Sequence, residues 1–229
     1  MKFELRKQKI LELILQREEL NVSEAASQLN VSEITIRRDF ALLEKENLLK
    51  RTHGGAMAVS ENPVMSFQLK DLKNADVKRE IGQKAAAEVK EGDVIFIDCG
   101  STTLQMCSHL RNLKIKVITN SIPVLNSLAG SKCSVNLVGG EYDTRRQAMH
   151  GKMAEWHIQQ YHADKAFIGA DAIDENQHLW ANSETEAEIS RAMLQHADQT
   201  YVLADSSKFG KRGYLRFNDE KRELVFITN

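Results

Sequence analysis

Val31-Ser-Glu-Ile-Thr-Ile-Arg-Arg-Asp-Phe40 sets a helix start, a buried face and two adjacent arginines within ten residues. Ser32 is a helix-capping residue, and Glu33 behind it complements the positive end of the helix dipole. At about 100° per residue, Ile36, Phe40 and Leu43 fall within about 60° of one another and form a core stripe. Ile34, Arg38, Ala41 and Lys45 then point away from the core, with Thr35 and Arg37 on the flanks. The acids Glu33 and Asp39 stand where they cap or pair, so the exposed N-terminal half offers Ser32, Thr35, Arg37 and Arg38. A helix that enters the major groove needs that combination, because arginine both reads guanine edges and binds phosphates. The alternative is that Arg37 and Arg38 make surface ion pairs with Asp39 or Glu44.

The flanking sequence agrees with a DNA-reading helix. Upstream, Ile10, Leu11, Ile14 and Leu15 recur at helical spacing between Lys7, Lys9, Glu12 and Arg17. Leu20-Asn-Val22 interrupts that pattern, and Ser23 reads as the cap of a second short helix with Glu24 in its first turn and Val22, Ala25, Ala26 and Leu29 inward. Two capped helices separated by Leu29-Asn-Val31-Ser have the spacing of a helix-turn-helix. Downstream, Lys50-Arg-Thr-His-Gly-Gly55 reads as a tight basic hairpin, a wing that sets Lys50, Arg51 and His53 against phosphates, or else as a plain interdomain turn.

Composition narrows the class. The chain has 229 residues and a formal net charge of −1, so any DNA affinity must come from a local cluster. Cys99, Cys107 and Cys133 are odd in number and lack metal-ligand spacing, which argues for a reducing cytoplasm and against a structural metal or disulfides. The charged N-terminus is no signal peptide, and no apolar run approaches the roughly 20 residues of a membrane span. The expectation is a cytoplasmic protein without membrane association, metal or cofactor.

Val31-Ser-Glu-Ile-Thr-Ile-Arg-Arg-Asp-Phe with Leu49-Lys-Arg-Thr-His-Gly-Gly-Ala resembles the N-terminal signature of the DeoR family of bacterial transcription regulators. Residues 1–57 are therefore expected to form a winged helix-turn-helix, followed by a Pro63-containing linker over 58–75.

From Asp76 to Asn229 the pattern alternates helix and strand. Val77, Ile81, Ala85 and Val89 mark a helix, and apolar runs predict strands at Val94–Ile97, Lys116–Thr119, Val135–Val138, Lys165–Ile168, Thr200–Ala204 and Leu224–Thr228. Helices are expected at Thr103–Leu110, Gly151–Gln160 and Glu184–His196. Such alternation implies a mainly parallel α/β sheet covered on both faces. Ligands of these sheets bind at the carboxyl ends of the strands. Here those ends read Asp98-Cys-Gly100-Ser101-Thr102-Thr103, Asn120-Ser121, Gly139-Gly140-Glu141, Gly169-Ala-Asp171 and Asp205-Ser-Ser-Lys208. Five polar ends at one edge predict a pocket for a small hydrophilic ligand. Gly100–Thr103 reads evenly as a phosphate cradle or as an ordinary helix entry. Lys208 reads as a cation for the same anion or as a solvated loop lysine; Arg145 and Arg146 as further ligands or an exposed loop.

Asp98-x-Gly-Ser-Thr-Thr, Thr119-Asn-Ser, Val138-Gly-Gly, Ala163–Ala170, Ser183-Glu-Thr-Glu-Ala-Glu and Ala204–Gly210 are similar to the C-terminal sensor domain of the same family, so the resemblance covers nearly the whole chain. It implies a fold similar to ribose-5-phosphate isomerase and an effector among phosphorylated sugars or their metabolites, with phosphate at Gly100–Thr103. Two departures stand out: Cys99 where a small Ala or Ser is common, and a C-terminus at Asn229 where members continue through a further helix and strand. The second leaves the sheet edge or pocket to be built differently, or completed by a partner subunit.

The leading expectation is a regulator of double-stranded DNA operators, a repressor of a sugar catabolic operon working as a homodimer or homotetramer. The rival is a sugar-phosphate isomerase-like enzyme, with Gly169–Asp174 as an acidic loop and Glu184, Glu186 or Glu188 as base. No Gly-rich segment carries such a base, and these acids equally make the first turn of a helix capped by Ser183.

Overall fold

A computed structural model describes residues 3–17, 19–46, 48–58, 74–219 and 222–229. The linker expected at 58–75 falls mostly on residues 59–73, outside the described residues, as do the side chains of Glu12, Leu15 and Arg17. The chain divides into two compact units, Met1–Lys73 and Asn74–Asn229.

The first unit holds α1 (Phe3–Arg17), β1 (Glu19–Asn21), α2 (Val22–Leu29), α3 (Glu33–Lys45), β2 (Leu49–Arg51) and β3 (Gly55–Ala58). Ile10, Leu11 and Ile14 of α1, Val22, Ala25, Ala26 and Leu29 of α2, and Ile36, Phe40 and Leu43 of α3 fill one core. The cap of α2 differs from the sequence expectation. Asn21 stands at the N-cap, without a side-chain bond, and Ser23 lies inside the first turn. The cause is that Leu20-Asn21 is a strand: β1 pairs antiparallel with β3, which pairs with β2. Gly55 is required there, since a Cβ on it would sit 2.3 Å from the Leu20 carbonyl oxygen.

Asp39 is the buried polar residue of α3, only 2% exposed. Its carboxylate accepts from Arg6 Nε at 2.6 Å and Nη2 at 3.0 Å, a bidentate pair that fixes α3 on the first turns of α1.

The second unit is built on a six-stranded, wholly parallel sheet. Its strands are β4 (Val94–Ile97), β5 (Lys116–Thr119), β6 (Ser134–Leu137), β9 (Ala163–Ile168), β12 (Ala197–Leu203) and β14 (Leu224–Ile227), in the order β14-β12-β9-β4-β5-β6. Alternation divides the core. Ile95, Ile97, Val117, Phe167 and Leu203 face one way with Ile81 and Ala85 of α4 (Ala75–Ala87) and Val124 of α7 (Ile122–Leu128). Phe96, Ile118, Ala166, Ile168 and Val202 face the other, with Ala154 and Ile158 of α8 (Lys152–Gln159) and Ile189 and Met193 of α9 (Glu184–Gln195).

The expected helix Thr103–Leu110 is two single turns, α5 (Ser101–Leu104) and α6 (Cys107–Leu110). Gln105, Met106 and His109 bond three residues back, the tighter 3₁₀ pattern, where the Gly82 backbone of α4 presses so closely on Gln105 that a Cβ would lie 2.7 Å away. Two small antiparallel ladders were not predicted. One is the hairpin β7 (Glu141–Asp143) with β8 (Ala148–His150); the other runs β10 (Ala172–Ile173), β11 (Leu179–Ala181), β13 (Leu215–Arg216). Strands of two or three residues are too short to show a period.

Removing one partner of a buried ion pair strands the other, at a cost of about 3 kcal/mol or more, whereas removing both is far milder. Arg6→Met is therefore expected to unfold the first unit early in urea, and Arg6→Met with Asp39→Leu to recover most of the loss. Both tryptophans, Trp156 and Trp180, belong to the second unit. The prediction is an early loss of helical circular dichroism with unchanged tryptophan fluorescence.

Candidate functional site

The outward side of α3 is fixed by its cap and its buried stripe. Ser32 Oγ accepts from the Thr35 amide at 3.2 Å and lies 2.9 Å from Thr35 Oγ1, so both hydroxyls gather at the helix start. Asp39 is turned inward, and Glu44 binds the wing, accepting from the Arg51 amide at 2.9 Å and lying 3.7 Å from its guanidinium. Among the described residues neither acid pairs with Arg37 or Arg38. Arg37 instead meets Glu33 at 3.1 Å, an exposed pair of small energy. Arg38 and Lys45 are exposed and make no ion pair among the described residues. His53 is exposed in the turn between β2 and β3, beside Arg51.

In the second unit the parallel topology sends every strand's carboxyl end to one edge. Asp98, 6% exposed, is the hub. Its Oδ1 accepts from the Gly100 amide at 2.9 Å and Thr103 Oγ1 at 2.6 Å, and its Oδ2 from the Gly169 amide at 2.6 Å. Burial raises its pKa above the ordinary carboxylate value, and these three bonds offset only part of that rise. Asp98, Gly100 and Thr103 thus spend their polar groups on each other, leaving Ser101 and Thr102 half-buried at the head of α5.

Lys78 of α4, which sequence reading missed, comes to that head. It is 5% exposed, and its Nζ donates to Ser101 Oγ at 2.9 Å. The signal was present: the buried stripe of α4 runs Lys78, Ile81, Gly82, Ala85, Ala86, so a lysine occupies the first core position. Lys208, expected in this role, ends a 3₁₀ turn after β12, two strands from β4 and so about 10 Å to the side. Among the described residues no hydrogen bond or ion pair ties its side chain to Gly100–Thr103.

Arg146, from the turn between β7 and β8, does reach the edge, while Arg145 stays exposed. Its guanidinium donates to Glu186 of α9. Burial opposes that charge, but Glu186, Asp171 and Asp143 outweigh it and raise the pKa above the ordinary arginine value. Asp171 also accepts from the Asn182 amide at 2.9 Å. The other acids of α9 are engaged too: Glu184 accepts from Tyr214 Oη at 3.3 Å and Glu188 pairs with Arg191 at 2.5 Å. Ser183 stands at the cap but makes no side-chain cap bond.

Asn120 and Ser121 are buried and bound within the fold. Asn120 Nδ2 donates to the Met149 carbonyl at 3.1 Å, and Ser121 Oγ accepts from the Val124 amide at 3.3 Å to cap α7. Gly139 and Gly140 line a cleft of about 420 Å³ with Glu141, His150, Gly151, Lys152, Met153, Trp156 and His157. The Gly139 amide donates to His157 Nδ1 at 3.0 Å, so that N–H is used. Gly140 is dictated by space, since a Cβ would sit 2.6 Å from the His150 carbonyl oxygen. Among the described residues no cluster of His, Cys, Asp or Glu could hold a metal ion, and no helix is long and apolar enough to cross a membrane.

Comparison with known sequences gives two domain matches, a DeoR-like helix-turn-helix domain over residues 6–62 and the DeoR C terminal sensor domain over residues 73–229. The L-fucose operon activator of Haemophilus influenzae is 33% identical, over 92% of this chain and 85% of its own length. The lactose phosphotransferase system repressor of Streptococcus mutans is 32% identical, over 100% of this chain and 93% of its own length. Among solved structures, ribose 5-phosphate isomerase A of Methanocaldococcus jannaschii overlaps at a TM-score of 0.45 with 22% identity, covering 59% of this chain and 55% of that one.

His150, 4% exposed, carries a testable titration. Burial lowers its imidazole below 6.5 against the opposing bond from Nδ1 to the Thr185 carbonyl. The folded protein then takes up the proton at lower pH than the unfolded chain. Stability from neutral His150 is present above about pH 6.5 and is lost as the pH falls through its lower folded value. Urea midpoints followed by tryptophan fluorescence should fall more for wild type than for His150→Asn between about pH 7.5 and about pH 5. Equal falls would show that another group carries the acid sensitivity.

Proposed function

Because this chain belongs to the DeoR family of transcription regulators, we propose that it represses a sugar catabolic operon and is released or engaged by a phosphorylated sugar. It is a DNA-binding helix-turn-helix regulator with a C-terminal sensor domain. The finer reading rests chiefly on Lys78. An ammonium held in the core at the hydroxyl of Ser101, at the carboxyl end of β4, is a preformed seat for an anion such as phosphate. Ser101 and Thr102 bind the phosphate beside it; Asp98, Gly100 and Thr103 hold the loop in shape. Asp171, Arg146 and Glu186 supply polar groups for sugar hydroxyls, and Asn120, Ser121, Gly139 and Gly140 wall the edge. Lys208 contributes a second positive charge from the side.

Repression is supported by the name of the Streptococcus relative, although the Haemophilus relative is named an activator. On DNA, Ser32, Thr35, Arg37 and Arg38 face the major groove, and Lys45, Arg51 and His53 the phosphates. A single winged helix has little affinity, so the chain acts as a homodimer or homotetramer across half-sites about one helical turn apart, or multiples of it. The compartment is the cytoplasm. No reaction is proposed for Glu184, Glu186 or Glu188, each of which is tied to a partner.

Two variants separate the roles. Arg38→Ala is expected to weaken operator binding roughly 10- to 100-fold in gel shifts, yet to keep the thermal stabilisation given by the best compound of a sugar-phosphate panel. Ser101→Ala should keep operator binding while weakening that compound about fivefold. If either variant lost both activities while folded, the division of labour would be wrong.

A further inference from the structure

Ile34 is 79% exposed in the first turn of α3. A β-branched residue there gains nothing locally, since it lowers helix propensity slightly and leaves a large apolar surface in water. Its direction is not accidental. Asp39, bound to Arg6 at 2.6 Å and 3.0 Å, fixes the rotation of α3, and Ile34 lies about 140° around the helix from it. Arg38, four residues on, falls only about 40° from Ile34 and is likewise exposed. Thr35 turns its hydroxyl back to Ser32 at 2.9 Å. The outward edge of the first two turns is therefore an isoleucine followed by an arginine.

In the major groove an apolar side chain recognises one base feature, the 5-methyl group of thymine. The N-terminal residues of a recognition helix are the ones that reach base edges. Side chains four apart on a helix stand about 5–6 Å from one another, and stacked base pairs about 3.4 Å, so the two residues address neighbouring or next-neighbouring pairs. We infer that Ile34 is a specificity-determining residue that contacts a thymine methyl one or two base pairs from the base read by Arg38. The inference rests on the reading of α3 as the helix in the groove.

Uracil tests it, because it pairs like thymine and lacks only the methyl. Duplexes bound most tightly by the full-length protein are first selected from a randomised pool, and each thymine is then replaced singly by uracil. One thymine per half-site should show a loss of about fourfold on replacement, the transfer free energy of one methyl group. Ile34→Ala should bind the thymine and uracil forms equally at that position, while Arg38→Ala still discriminates between them. A wild-type protein that binds its selected duplex but is indifferent to uracil everywhere overturns the thymine contact alone. Discrimination that persists in Ile34→Ala overturns it equally. Failure to select any sequence overturns the reading of α3 and the inference with it.

Discussion

The carboxylate of Asp98 sets the geometry on which the sensor unit depends. It receives the amides of Gly100 and Gly169 and the hydroxyl of Thr103, and so locks together the ends of β4 and β9 and the entry to α5. A buried charge is tolerable only when its hydrogen bonds are made. Here they are made entirely within the protein. The Asp98–Thr103 motif is therefore divided: Asp98, Gly100 and Thr103 build the loop, while Ser101 and Thr102 stand half-buried at the head of α5. Lys78 of α4 meets Ser101 there, its Nζ donating to the hydroxyl at 2.9 Å.

The DNA-binding unit uses an aspartate in the same way. Asp39 lies between Arg38 and Phe40, in the middle of the motif, but its bonds run inward to Arg6. The pair turns a negative charge inward, and it fixes the rotation that leaves Ile34 and Arg38 exposed. Glu44 repeats the principle on the other flank by binding the wing at Arg51. Asp39 and Glu44 are thus spent on scaffolding, while Glu33 stays exposed beside Arg37.

Much of this was legible in the sequence because it depends on period. Ile36, Phe40 and Leu43 follow the helical spacing, and Ile95, Phe96 and Ile97 alternate between the two faces of the sheet. Ser32 makes the cap its chemistry suggests. What escaped depends on pairing between distant segments. β1 claims Asn21 and moves the cap of α2 away from Ser23; Gly82 presses on Gln105 and breaks a helix in two. Lys78 was hidden because a lysine on a helix is ordinarily read as solvated, although its place in the stripe marks it as inward. A strand end indicates the edge of the sheet but not the distance along it, so the sequence could not tell that Lys208 stands two strands from β4.

The central claim is that one chain couples an anion site at the strand ends to DNA reading by α3. Linkage makes that claim quantitative, since coupling between two ligands must be reciprocal. The direct measurement is the affinity of the most stabilising sugar phosphate for the full-length protein, with and without saturating selected operator. The account predicts a change equal in factor to the change that the sugar phosphate makes in operator affinity. An effector affinity that is the same with and without DNA would contradict it.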